Sequence, residues 1–166
     1  MPFTRITMTG LQGVPLIKPG DDLGAITVDA LHVNEIVPED GDVLVVAQKI
    51  VSKAEGRFVD VADVKPSARA IALAAEVDKD PRFVEVVLSE SKRVVRHRPG
   101  LLIVEHRLGF VMANAGIDHS NVAPEDGGER VLLLPIDPDG SAEKLRRHLI
   151  GIFGVCLLYT SPSPRD

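Results

Sequence analysis

Apolar and polar positions change their spacing several times along the 166-residue chain. Residues 3–8 alternate as a half-buried strand does. Residues 10–20, GLQGVPLIKPG, hold three glycines and two prolines and predict a loop. Asp21 and Asp22 offer caps for a helix to about Asn34, with Leu23, Ile26 and Leu31 on one face. After the turn Glu39-Asp40-Gly41, the run Asp42 to Val46 is apolar beyond its first residue, which predicts a strand covered on both faces. Pro66 suits the first turn of an alanine-rich helix to about Val77. Asp80-Pro81 opens another to about Glu90. Residues 92–97 and 101–106 read as strands joined at Pro99-Gly100, with a short third strand at Phe110 to Ala113. Asn114 to Gly128 reads as a long loop and Val131 to Leu134 as a strand. A last helix runs from Asp139-Gly140-Ser141 to about Leu149. Lys144, Arg146, Arg147 and His148 fall at its end, where positive charge suits the helix dipole. The order of elements predicts an α+β fold, a mixed sheet with flanking helices, in a single domain.

Composition narrows the function. The chain is 45% hydrophobic and 26% charged, ordinary for a globular protein, and its net charge is −5. No basic cluster of the size a nucleic-acid surface needs is present, so that class is disfavoured. No apolar run reaches the length of a membrane span, and the first residues lack the apolar centre of a signal peptide, so the expected compartment is the cytoplasm.

The final residues, Cys156 to Asp166 (CLLYTSPSPRD), hold the only cysteine and the only tyrosine of the chain. The shift in composition is abrupt. The peptide reads as a translated sequencing-library adaptor; a natural disordered tail is the alternative. The domain is therefore expected over residues 1–155, with 156–166 set aside.

Three segments place polar residues where a plain fold would not. The first is Gln12-Gly13-Val14-Pro15-Leu16 with Lys18 and Gly20 to Asp22, a glycine loop entering a helix, which can bring backbone N–H groups to an anion or a purine edge. A surface turn would look the same. The second is Gln48 to Arg57, directly after a strand whose carboxyl end is where α/β sheets bind ligands. Lys49, Lys53 and Arg57 recur every four residues, so a helix would set them on one face as a phosphate clamp or as a solvated basic face. The third is Asn114 to Val122. It contains Asp118, a carboxylate suited to a hard cation, and Asn121, suited to a base or phosphate; an Asx turn is the plainer reading. The five histidines show no zinc spacing, and no Walker or nucleophile-elbow pattern occurs.

Together these stretches resemble the coenzyme F-420:L-glutamate ligase family. GVPLIKPGDDL at 13–23, DGDVLVVAQKIVSKAEGR at 40–57, EHRLGFVMANAGIDHSNV at 105–122 and LLLPIDPDGSAEKLR at 132–146 carry the likeness, in order and over essentially all of 3–155. The resemblance implies a mixed α+β homodimer. It implies that GTP and Mg²⁺ or Mn²⁺ are used to join L-glutamate to the carboxylate of the deazaflavin precursor F-420-0 through an acyl phosphate. It assigns metal binding to Asp118. It assigns nucleotide contacts to Gln12, Gly13, Val14 and Pro15, to Ala47, Gln48, Ser52 and Lys53, and to Asn121. No catalytic residue is assigned.

In the family, a strand and a D-x-x-G-R-like motif follow the position of Val155 and are expected to add metal-binding carboxylates and part of the nucleotide pocket. The 166-residue polypeptide is therefore expected not to turn over. A flavin-type reductase domain beyond this region, a non-catalytic nucleotide-binding or dimer-scaffolding module, and a fragment that does not fold stably are the competing readings.

Overall fold

The computed structural model describes residues 6–119 and 129–160. Five α-helices are present among them: α1 (Leu23–Val33), α2 (Gln48–Ala54), α3 (Ala68–Val77), α4 (Pro81–Ser89) and α5 (Pro138–Phe153). The strands are β1 (Val43–Val45), β2 (Phe58–Asp60), β3 (Ser91–Arg98), β4 (Leu101–His106), β5 (Val111–Ala113), β6 (Arg130–Leu132) and β7 (Leu158–Thr160). The α+β expectation holds.

The helices start where capping chemistry dictates. Asp22 accepts from the amides of Gly24 and Ala25, Ser67 from Ala70, Asp80 from Arg82 and Asp137 from Gly140. Each satisfies N–H groups that have no partner inside the helix. Pro66 consequently lies before the cap of α3 and not in its first turn. The longest helix, α5, runs to Phe153 and ends at Gly154 in a left-handed conformation, φ 69°. The basic cluster expected at its end sits inside the helix, and its last turn holds no basic residue.

The strands form three small sheets. β3, β4 and β5 make an antiparallel meander in that order, β2 pairs antiparallel with β6, and β1 pairs parallel with β7. The edge strand β3 shows register shifts between Ser91 and Arg93 and between Val94 and Arg96, irregularities that protect an open edge, as do its exposed Lys92, Arg93, Arg96 and Arg98. The described part of the expected first strand, residues 6–8, forms none, because no neighbouring strand among the described residues offers it a ladder.

Two apolar clusters follow from this arrangement. The larger joins α3 and α4 to β4 and β6 through Leu73, Val77, Val84, Val87, Leu102 and Val131. The smaller joins α5 to α1, β1 and the chain after it through Leu145, Leu149 and Leu157, with Val28, Leu44 and Val46 beside them. Here the expectation for 42–46 is corrected. β1 is not covered on both faces: Val43 and Val45 are 51% and 62% exposed. The physical reason is that the second layer needed over them is absent among the described residues.

The two clusters make different demands. Leu102→Ala, at a site with no exposure, is expected to cost roughly 2–5 kcal/mol, and Val43→Ala about 0.5 kcal/mol or less. Urea unfolding of the two variants measures the contrast; equal losses would contradict this division of the core.

Candidate functional site

The site is built around the extended segment from Arg130 to Ile136. On one side Leu132 forms an isolated antiparallel bridge with Asp118, each amide donating to the other carbonyl at 2.9 Å. On the other, Leu132 pairs with Phe58, and the Leu133 amide donates to the Arg57 carbonyl at 3.0 Å. Arg57 follows α2 by three residues. The segment thus ties the helix of the second sequence motif to the aspartate of the third.

Asp118 is reached through an unusual turn. Asn114, Ala115 and Gly116 have φ of 49°, 54° and 67°, three left-handed residues in succession. Such a conformation costs an ordinary residue such as Ala115 about 1–2 kcal/mol, while asparagine and glycine adopt it more readily. At position 116 glycine suits the positive φ, and a Cβ there would lie 3.0 Å from Met112 Cε and 3.3 Å from Leu134 Cδ1, so both side chains would have to give way. The Ile117 amide closes the turn on the Asn114 carbonyl at 3.1 Å. Ala115 and Ile117 are buried in the main core, which offsets the strain and orients Asp118 outward.

The side chain of Asp118 meets Lys49 Nζ at 2.5 Å, and both are about one-third exposed. This contact joins the second and third motifs. Beside Lys49 on α2, Gln48 Nε2 donates to Ser52 Oγ, one turn further on, at 2.6 Å. Lys53 is half-buried on the same helix. The three-residue basic face is not formed. α2 ends at Ala54, and Arg57 turns inward.

Arg57 and Arg107 meet at Glu90, a residue that the spacing of polar positions did not single out. Glu90 is 8% exposed. Its Oε2 accepts from Arg57 Nη2 at 2.9 Å and from Arg107 Nε at 3.0 Å. The fully buried His106 faces the same oxygen with Nε2 at 3.4 Å, too long for a full hydrogen bond. His106 Nδ1 accepts from the Leu108 amide at 3.0 Å, so the ring proton resides on Nε2 and points at the carboxylate. Burial pushes the Glu90 pKa up, but His106, Arg107 and Arg57 outweigh it and hold the group at about 2, against an ordinary 4.5. The two arginines also grip the segment beyond Leu132: Arg57 Nε donates to the Leu134 carbonyl and Arg107 Nη1 to the Ile136 carbonyl. Glu55 completes the grip, accepting from the Ile136 amide at 2.8 Å and from Ser141 Oγ at 2.5 Å.

The first motif lies on the opposite side of α2. The Gln12 amide donates to Asn34 Oδ1 at 3.2 Å, and Asn34 Nδ2 returns a bond to the Gln12 carbonyl at 3.0 Å. Gly13, with φ 83°, sits against Val33. The Gly20 amide donates to the Ala54 carbonyl at 2.8 Å and so fastens the loop to the end of α2. Val14 and Ala47 line one shared groove. Gln12, Gly13 and Pro15 remain exposed near it. Asn121 lies outside the described residues.

A family model described as "F420-0:Gamma-glutamyl ligase" matches residues 12–157. The chain belongs to this family. It is 44% identical over 144 residues to a protein named coenzyme F420:L-glutamate ligase from Methanothermobacter thermautotrophicus, covering 87% of this chain and 56% of that protein. The likeness to the protein of that name from Archaeoglobus fulgidus is 45% over 150 residues, covering 90% and 56%. In Methanopyrus kandleri it is 43% over 148 residues, covering 87% and 55%. The chain therefore spans about half the length of the curated relatives it matches. Within this member of the ligase family, α2 and the turn before Asp118 are the parts brought face to face.

Because the folded pKa of Glu90 lies below the unfolded one, its stabilising contribution is complete above about pH 4.5 and is lost as the pH falls toward about 2. Glu90→Gln keeps the shape but leaves two guanidinium groups without a carboxylate, and is expected to cost about 3 kcal/mol at pH 7. The gap between wild type and variant should close between pH 4.5 and 2. Denaturant titrations across that range check it; a gap independent of pH would show that Glu90 does not carry the charge assigned to it.

Proposed function

We propose that the full-length protein represented by this chain is a GTP-dependent γ-glutamyl ligase. It joins the amino group of L-glutamate to the carboxylate of the F-420 precursor F-420-0. The γ-phosphoryl group of GTP passes to the precursor carboxylate, giving an acyl phosphate and GDP. Attack by the glutamate amine then forms the amide and releases phosphate. The observation that carries this reading is the meeting of Lys49 and Asp118, contributed by two motifs far apart in sequence, within a chain whose residues 12–157 match the ligase family. A homodimer, which the resemblance implies, and a cytoplasmic location belong to the same reading.

In such a reaction the protein positions groups and balances charge more than it supplies covalent chemistry. Lys49 and Lys53 on α2 are suited to phosphate oxygens. The polar loop Gln12 to Pro15 and Ala47-Gln48 suit the remaining contacts of a nucleotide, with Asn121, whereas Ser52 is fully buried against Gln48 and can act only through it. Asp118 fits one ligand position of Mg²⁺ or Mn²⁺, ions that take one or two carboxylates together with phosphate and water oxygens. Among the described residues no group of three His, Cys, Asp or Glu side chains surrounds a common point, so the fit is to part of a site. A divalent cation there would neutralise phosphate charge during transfer.

The direct test is an assay of the full-length gene product with F-420-0, L-glutamate, GTP and Mn²⁺, followed by mass spectrometry of the coenzyme. One added glutamate per GTP consumed is expected, with Asp118→Asn lowering kcat/KM by about 100-fold or more. Product without GTP, or full activity in Asp118→Asn, would overturn the reading. The 166-residue polypeptide is expected to yield no product under the same conditions.

Lys49 Nζ lies against the Asp118 carboxylate, so it would compete with a cation for that group. Lys49→Ala in the full-length protein is therefore expected to tighten Mn²⁺ binding without nucleotide by roughly two- to five-fold, the worth of a part-exposed ion pair, while raising the KM for GTP. Mn²⁺ titration followed by electron paramagnetic resonance reads the first effect.

A further inference from the structure

The charged cluster in the main core has no part in the reaction proposed above. Glu90 is 8% exposed and His106 is fully buried. Arg57 and Arg107 donate to a single oxygen of Glu90, and His106 Nε2 points at the same atom from 3.4 Å. That nitrogen makes no full hydrogen bond, and a carboxylate that moved away would strand it altogether. Stability alone does not account for such a group. Buried ion pairs contribute little net stabilisation over apolar side chains of the same volume, because both partners lose their hydration. What they supply is one geometry, since charge and bond direction must be met together.

The remaining donors show what is being held. Arg57 Nε reaches the Leu134 carbonyl at 2.9 Å, and Arg107 Nη1 reaches the Ile136 carbonyl at 3.2 Å. Leu134 in turn lies against the left-handed turn: its Cδ1 is 3.3 Å from the point where a Cβ on Gly116 would stand. Leu132, two residues earlier, bonds the backbone of Asp118 through both its amide and its carbonyl. On the other side, the Arg57 amide donates to the Ser52 carbonyl at 2.9 Å, in the helix that carries Lys49. The cluster therefore bears on the supports of both Lys49 and Asp118.

We propose that Glu90, Arg57 and Arg107 are positioning residues of the glutamate ligation: through the segment 132–136 they set where the Asp118 carboxylate stands relative to α2, and so govern turnover and not the binding of GTP. The proposal rests on the reaction read above as well as on these bonds. A misplacement of about 1 Å at a reacting centre can cost on the order of 100-fold in rate, so small shifts of this segment matter.

The test uses two variants of the full-length protein that keep every charge. Arg107→Lys leaves a cation beside Glu90 but lacks the fork that reaches Glu90 and the Ile136 carbonyl together. Glu90→Asp draws the carboxylate back by one methylene, and serves alone if Arg107→Lys does not fold. In each, kcat for GTP-dependent addition of glutamate is expected to fall about ten-fold or more, with the KM for GTP within about two-fold of wild type. Hydrogen exchange at the Asp118 and Leu132 amides is expected to quicken about ten-fold, while exchange in α3 stays as it was. A folded variant with wild-type kcat, or one whose KM rises without a fall in kcat, would overturn the proposal. So would unchanged exchange at both amides, or exchange that quickens equally in α3, which would make the cluster a support for stability alone. If the wild-type protein forms no product with GTP, the ligase reading falls and this proposal with it; wild-type kcat in a variant of an active protein strikes this proposal alone.

Discussion

A buried carboxylate shared by two guanidinium groups holds the candidate site in shape. Glu90 sits at the end of α4, in the main core, where an unpaired charge would be costly. Arg57 arrives from the end of α2 and Arg107 from the turn after β4. Each then spends a further N–H on a carbonyl of the segment 134–136. One interaction therefore fixes a helix, a hairpin and an extended segment relative to one another. Leu132, two residues before that segment, sets the backbone of Asp118. The separation between Lys49 and Asp118 is thus controlled from a carboxylate outside that pair.

The neighbouring turn shows how the fold accommodates local strain at this place. Three left-handed residues precede Asp118, and one of the three, Ala115, has a side chain that disfavours the conformation. Ala115 is small enough to be fully buried there, and Gly116 leaves room for Met112 and Leu134. The strain is local and the packing that offsets it is contributed by the main core. A straight approach of the chain would direct the carboxylate elsewhere.

Much of this was legible in the sequence, for identifiable reasons. Asp22, Asp80 and the Pro99-Gly100 turn act through neighbours two to four residues away, and their effects were read directly. The motifs containing Lys49 and Asp118 stood out because polar residues follow apolar strands. What escaped depended on partners distant in the chain. Glu90 looks like the polar end of an amphipathic helix, and only the fold brings Arg57 and Arg107 to it. Arg57 looked like the third member of a basic face because helical spacing was extended past Ala54, where α2 stops. The strand at Val43 to Val45 was read as covered, since its pattern records a completed sheet and the described residues supply only one side of it.

The division of apolar contacts into two clusters has a consequence for energetics. Regions held by few buried contacts open at a lower free energy than the rest of a molecule. The turn before Asp118 packs into the larger cluster through Ala115 and Ile117, whereas α1 and β1 pack into the smaller one through Val28 and Leu44. A ligand spanning both would find one half of its site already rigid and the other half partly fluctuating. Its observed affinity would then contain the entropy of quieting the weaker layer, and binding would register as an ordering transition with a negative heat-capacity change as well as a set of contacts.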